Sequence, residues 1–219
     1  FLEAMMNKLQ VSMECYDLSF DGKGVVSYNK KIGFVDNLLP GERAVVEITY
    51  EKKDTFFGKV VSLEKASDKR IVPLCPSFEK CGGCALMHLS YQGQLEYKRK
   101  KVHDALTRIG GFKDINVNMT VGMDDPYKYR NKVQVPLKLL KGKIVSGFYK
   151  EKSHDIVPVE NCYIEDERAE KILKDIRLLI KKFKLKPYDE DKRTGIFRHV
   201  LIRTSHYFEE IMVTLVTTV

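Results

Sequence analysis

No stretch of this sequence approaches the ~20 consecutive apolar residues that a membrane helix requires. The opening residues, Phe1-Leu2-Glu3-Ala4-Met5-Met6, carry no basic segment and are too short for a secretory leader, with a natural start expected at Met5 or Met6. Internal repeats and low-complexity segments are also lacking. These absences predict a cytoplasmic chain with no membrane partner. Cysteine is scarce and odd in number, five in 219 residues, which argues against a disulfide framework. A composition 43% hydrophobic and 31% charged excludes wholesale disorder and suits one large domain or two small ones.

What charge there is in excess has one location. Residues 1–90 hold twelve basic and twelve acidic side chains, and residues 153–219 again twelve of each. Residues 91–152 hold fourteen against six, so the net +8 lies in one central stretch. A concentrated positive field attracts polyanions, nucleic acid above all; a solvated basic helix face is the plainer explanation.

Short strand-like runs dominate residues 10–64: 11–18, 25–28, 32–35, 44–50 and 56–63, broken by Asp21-Gly22-Lys23-Gly24 and Pro40-Gly41. Strands of this length without helical period predict a small β-barrel of the oligonucleotide-binding kind over 8–66. Ala66 to Arg70 reads as a polar linker, and a second domain of α+β type is expected over 71–219. Within it, 91–110 has helical spacing, with Leu95, Val102, Leu106 and Ile109 on one face and Gly110-Gly111 as the stop. Strands are expected at 132–140, 144–149, 155–159, 200–203 and 211–219, and a second helix over 165–186. The fold class is therefore mixed β and α+β. The sequence stops inside a strand-like run, so a portion of a longer polypeptide is expected.

Three of the five cysteines crowd into Cys75-Pro76-x4-Cys81-Gly82-Gly83-Cys84, with Cys162 as the one later candidate for a fourth ligand. Four thiolates suit a tetrahedral zinc ion or an iron–sulfur cluster. Zinc modules usually supply two short-spaced pairs, whereas three ligands from one loop and one from afar lie closer to cluster ligation. Unliganded core cysteines are the third possibility. The two glycines would let backbone N–H groups approach the sulfurs. Cys15, within a strand and without a local partner, is expected to be a buried small hydrophobe, and His88 to be structural.

Taken in order, Cys75-x5-Cys81-Gly82-Gly83-Cys84, His88-Leu89-Ser90-Tyr91, Gln94-Leu95-x2-Lys98 and Leu106-x-Arg108-Ile109-Gly110 resemble the bacterial 23S rRNA uracil-5-methyltransferases. The likeness continues through Tyr129-Arg130-Asn131-Lys132-Val133-Gln134, Gly147-Phe148-Tyr149 and Val159-x2-Cys162. Upstream, Asp21-Gly22-x-Gly24-Val25 and Leu39-Pro40-Gly41-Glu42 resemble the TRAM domain at the N-terminus of those enzymes. The resemblance implies an OB-like, RNA-binding TRAM barrel, then a central domain whose Cys75, Cys81, Cys84 and Cys162 bind a [4Fe-4S] cluster. It further implies a C-terminal Rossmann-like domain that binds S-adenosylmethionine and methylates C5 of a flipped-out uracil after a cysteine thiolate adds to C6. The helix at 91–110 would pack beside that domain.

The sequence departs from the pattern in having Ala85 and Met87 where relatives often carry glutamine. It also has no glycine-rich S-adenosylmethionine motif and no catalytic cysteine motif, so this stretch alone is expected to be inactive. With the resemblance, Arg130, Asn131, Lys132 and Gln134 become the candidate contacts to RNA, with 23S rRNA as the expected substrate and a monomer as the expected state. Arg130 and Lys132 alternate along a strand and would share a face, Arg130 being the first choice. The run 98–101 reads as a solvated helix face, Phe148 and Tyr149 as buried, and His199 as structural.

Overall fold

The computed structural model describes residues 9–150 and 153–218. The chain divides into two compact units. The first takes the residues up to Pro73 together with Ala85–Gly122; the second takes Leu74–Cys84 together with Met123–Val219. The helix expected in the second domain therefore groups with the barrel. Among the described residues no helix is long and apolar enough to cross a membrane.

The first unit holds β1 (Gln10–Glu14), β2 (Asp17–Leu18), β3 (Gly24–Tyr28), β4 (Lys31–Asp36), β5 (Arg43–Glu51) and β6 (Thr55–Lys65). They hydrogen-bond in the order β1-β5-β6-β4-β3-β2, antiparallel except where β4 meets β6. The single strand expected over 11–18 is broken at Cys15 and Tyr16. Its first half pairs with β5 and its second with β3, so the two ends of the sheet are one run of chain and the sheet closes on itself. Across the join the Cys15 N–H donates to the Glu42 carbonyl (2.9 Å) and the Tyr16 N–H to the Val25 carbonyl (3.0 Å). Strand alternation sends Met13, Val26, Val35, Ala44, Val46 and Phe56 inward, around the buried Cys15. Burial pushes the Cys15 thiol up to about 12, so it stays a neutral core group. Gly33 is required where Phe56 crosses it, because a Cβ there would lie 2.1 Å from the ring.

Glu42 ties the linker to the barrel. Its side chain is fully buried and accepts from the Leu39 N–H (2.8 Å), the Ser67 N–H (3.1 Å) and Arg70 Nε and Nη2 (2.6 and 2.7 Å). Burial alone would raise this carboxyl; the Arg70 guanidinium and the two N–H groups outweigh it and hold the group below the ordinary value.

Helix α1 (Tyr91–Asp104) starts at the Ser90 cap, whose hydroxyl accepts from the Gly93 N–H, and ends in a π-turn over Ala105–Ile109. The expected apolar stripe does not bury: Val102 and Ile109 are 50% and 88% exposed. Polar bonds attach the helix to the barrel instead. Tyr97 donates to the Ser19 carbonyl (2.7 Å), Lys100 pairs with Asp17 (2.8 Å), and Lys101 donates to the Leu18 carbonyl. Arg99 donates to the Val117 carbonyl (2.7 Å). The basic run expected to be solvated thus spends three of its four cations on backbone and carboxylate partners.

The second unit is an antiparallel sheet in the order β11-β10-β7-β8-β9. Its strands are β7 (Lys132–Leu140), β8 (Lys143–Tyr149), β9 (Ile156–Pro158), β10 (Phe197–Thr204) and β11 (Ile211–Thr217). Helix α2 (Glu167–Lys182) covers one face, burying Ala169, Leu173 and Ile180 against Val133, Val135, Leu137, Val200 and Ile202. Asp166 caps its start by accepting from the Arg168 N–H, and Lys181 and Lys182 suit its C-terminal dipole. The helix is shorter at its end than the expected 165–186 because Lys184 turns left-handed, at φ 53°.

Candidate cysteine site and nucleic-acid face

The Cys75–Cys84 loop is built from tight turns. The Phe78 N–H donates to the Cys75 carbonyl (3.1 Å) and the Cys81 N–H to the Ser77 carbonyl (2.8 Å), while Phe78 itself is buried as the loop's anchor. The Gly82 N–H reaches the Tyr149 carbonyl of β8 (3.2 Å). On the other side of the site, Lys128 donates from its backbone to the Tyr163 carbonyl (2.9 Å) and from Nζ to the Cys162 carbonyl (2.8 Å). The Arg130 N–H donates to the Ile164 carbonyl (2.8 Å). The residues leading into β7 thus hold the Cys162 segment in place.

Arg130 also reaches the loop: its Nη2 donates to the Gly83 carbonyl at 3.2 Å. One residue therefore grips both halves of the cysteine set, by backbone on the Cys162 side and by guanidinium on the Cys84 side. All four cysteines are free and half-buried. Burial pushes the Cys84 thiol up to about 11, with Cys162, Cys81 and Cys75 adding to the rise and Arg130 opposing it. Burial likewise raises Cys81, against an N–H bond from Gly83, and raises Cys162, against N–H bonds from Ile164 and Glu165. Arg130 opposes the rise at Cys81, Cys84 and Cys162 alike. Backbone N–H groups already point at two of the sulfurs. Among the described residues no three or more His, Cys, Asp or Glu side chains are arranged as a shell for one metal ion.

Glu165 adds a buried carboxyl here. Burial drives it up to about 7, against the pull of Arg130 and Lys128. His88 lies in the other unit, fully buried, and burial together with Arg70 lowers it to about 4, so it is a neutral core imidazole. Phe148 packs on the sheet core, and Tyr149 meets His154 edge-on at 6.1 Å; both are half-buried.

The sheet end beside the cysteines separates the candidate RNA contacts. Lys132 and Gln134 are exposed and project from the face opposite α2, while Asn131 is exposed and its carbonyl accepts from the Thr204 N–H (2.9 Å). Arg130 does not share their surroundings, being half-buried with its guanidinium on the cysteine loop. Arg203 of β10 is the register partner of Lys132 and is also exposed, so two cations stand side by side across the strands. Strand alternation marks Arg203 as outward in the sequence; its neighbour across the sheet becomes visible only once the pairing is known.

No protein-family model matches the chain. It is 40% identical over 218 residues to an uncharacterized RNA methyltransferase of Halalkalibacterium halodurans, covering 98% of this chain and 47% of that protein. Another from Clostridium tetani is 42% identical over 196 residues, covering 90% of this chain and 42% of its own length. The chain's relatives are RNA methyltransferases. It spans about half the length of the curated relatives it matches. Among solved structures, the tRNA (uracil-54, C5)-methyltransferase of Pyrococcus abyssi, in complex with S-adenosyl-L-homocysteine, superposes with a TM-score of 0.67. The match is 26% identical and covers 94% of this chain and 46% of that one. The chain is thus similar to RNA uracil-C5 methyltransferases. That neighbour acts on tRNA, so the shared fold does not by itself select ribosomal RNA.

Proposed function

We propose that this chain is the RNA-binding and iron–sulfur portion of an S-adenosylmethionine-dependent RNA uracil-5-methyltransferase. The closed barrel of the first unit is read as an OB-like TRAM module, and the second unit as the central domain. Methyl transfer and S-adenosylmethionine binding are assigned to further sequence of the whole protein, because no glycine-rich motif or spare cysteine motif occurs here. The portion acts as a monomer whose role is to hold RNA, with ribosomal RNA the first substrate to test. Transfer RNA is the second, on the strength of the neighbour from Pyrococcus abyssi.

The observation that carries the reading is that Arg130 bonds both to the Gly83 carbonyl in the Cys75–Cys84 loop and, through its N–H, to the Ile164 carbonyl beside Cys162. The donor set fits a [4Fe-4S] cluster: four thiols, backbone N–H groups on two of them, and a cation to offset the net negative charge. Among the described residues no group of three or more His, Cys, Asp or Glu is placed to hold a metal ion, so the cluster assignment rests on the cysteine spacing and the family resemblance. When bound, the cluster would supply structural cross-linking; methyl transfer needs no electron from it. Within this chain, Arg130 and Lys128 orient the ligand-bearing segments, while Lys132, Gln134, Asn131 and Arg203 present polar groups to the RNA backbone.

Anaerobic purification followed by a visible spectrum and iron, sulfide and zinc analysis tests this. A brown protein with about four irons per chain is the expected result. A colourless protein with about one zinc would overturn the cluster assignment.

A further inference from the structure

Three aromatic rings line up on the outside of the barrel, where the core has no use for them. Phe34 of β4 is the register partner of Phe57 of β6, which is in turn the partner of Tyr50 of β5. The ring centroids are 5.8 Å apart for Phe34 and Phe57 and 6.3 Å for Phe57 and Tyr50, with interplanar angles of 34° and 30°. They form a tilted row across three adjacent strands, not a set of edge-to-face core contacts. The neighbouring Phe56 points inward and fills the core, so the outward direction of Phe57 follows from strand alternation. Tyr50 is 58% exposed and Ile32, one step along the same face from Phe34, is 46% exposed.

Cations gather at one end of this row. The turn between β3 and β4 carries Lys30 and leads into Lys31 at the start of β4, and the turn between β5 and β6 carries Lys52 and Lys53. The two turns touch: the Ile32 N–H donates to the Asp54 carbonyl (3.2 Å), and Lys31 Nζ reaches both Glu51 (2.7 Å) and the Lys52 carbonyl (3.0 Å). Lys52 Nζ lies 5.9 Å from the centre of the Tyr50 ring. Four lysines against Glu51 and Asp54 leave this end positive. The opposite end is neutralised by pairs, Lys23 with Asp36 and Lys59 with Glu47 (3.3 Å).

We infer that Phe34, Phe57 and Tyr50 form a stacking platform for bases of unpaired RNA, with Lys30, Lys31, Lys52 and Lys53 receiving the adjoining phosphates. The inference rests on the RNA-binding reading and locates a binding surface separate in composition from the Lys132 and Arg203 pair. Rings in a shallow row with a cationic margin match what single-stranded nucleic acid requires: π faces that tolerate any base, and charge that follows the backbone. Protein interfaces are enriched in aromatic residues too but depleted in lysine, whereas four lysines border this row.

The test uses the full chain and a fluorescently labelled single-stranded oligouridine, titrated by anisotropy at low and at moderate salt. Tyr50→Ala is expected to weaken binding roughly 5- to 150-fold. Tyr50→Phe, which keeps the ring, should bind like the parent, and Lys52→Gln with Lys53→Gln should flatten the salt dependence. Because Tyr50 is exposed, thermal melting of Tyr50→Ala close to the parent's confirms that the fold survives. If the parent binds no oligouridine, the RNA reading itself fails and this inference with it. If the parent binds and Tyr50→Ala binds equally well, while Lys132→Gln weakens the complex, RNA binding stands and the aromatic platform is overturned. A self-association seen by sizing and lost in Tyr50→Ala, with unchanged RNA affinity, would assign the row to a second copy and overturn it too.

Discussion

Arg130 donates through its guanidinium to the carbonyl of Gly83, 3.2 Å away, while its own N–H is held by Ile164 two residues beyond Cys162. This places the arginine between the two sources of the four thiols. Replacing it with alanine removes the bridge and the positive charge together. Arg130→Ala is expected to weaken iron retention against a chelator by about 10- to 100-fold, the usual cost of losing an outer-shell partner. Arg130→Lys should recover part of that, since the charge returns without the planar guanidinium that reaches Gly83. Oligouridine affinity should change far less than iron retention; the reverse pattern would return Arg130 to the RNA surface.

Cys162→Ser is expected to lower iron content, soluble yield and melting temperature together. The cross-link between the loop and the Cys162 segment is then lost as one event. A variant that melts like the parent while holding no iron would remove the structural role assigned to the cluster.

Glu42→Gln leaves Arg70 without its carboxylate in a buried setting. The expected loss is about 2–3 kcal/mol at pH 7, toward the low end for a broken buried pair because Arg70 keeps some access to water. The folded-state pKa of Glu42 is depressed, so its contribution is full above the unfolded value of about 4.3 and is lost as pH falls through the lower folded value. Urea melts of parent and variant should therefore stay apart above about pH 5 and draw together as pH falls below the unfolded carboxylate value.

Lys132→Gln and Arg203→Gln should each weaken RNA binding with little sequence dependence. Each should reduce the slope of log affinity against log salt by about one. Slopes unchanged in both variants would show that this sheet end does not meet phosphate.

The order of strands and the two helices were legible in the sequence because alternation and turn residues are local signals. The break at Cys15 was not, because a strand that changes partners midway keeps its alternation on both sides. The apolar spacing of Leu95, Val102, Leu106 and Ile109 misled for a different reason. Periodicity reports a face, not what covers it, and the helix is attached by its other side, through Tyr97, Lys100 and Lys101. The cysteine set is a reading of spacing and resemblance together. The orientation of Arg130 could not be read, since alternation put it with Lys132, whereas a hydrogen bond to Gly83 turns it aside. Arg203 and the row formed by Phe34, Phe57 and Tyr50 depend on register across strands, which one sequence does not encode locally.

The weaving of the chain between units also sets a schedule. Cys75, Cys81 and Cys84 are synthesised together, but Cys162 comes 78 positions after Cys84, and Ala85–Gly122 goes to the other unit in between. At about 5–20 residues per second on the ribosome, three thiols wait roughly 4–16 s for the fourth. Arg130 is made within that interval, so the loop gains its arginine partner before its fourth cysteine. The proposed site would therefore be completed by its last-made cysteine, on a chain whose barrel strands have already been made.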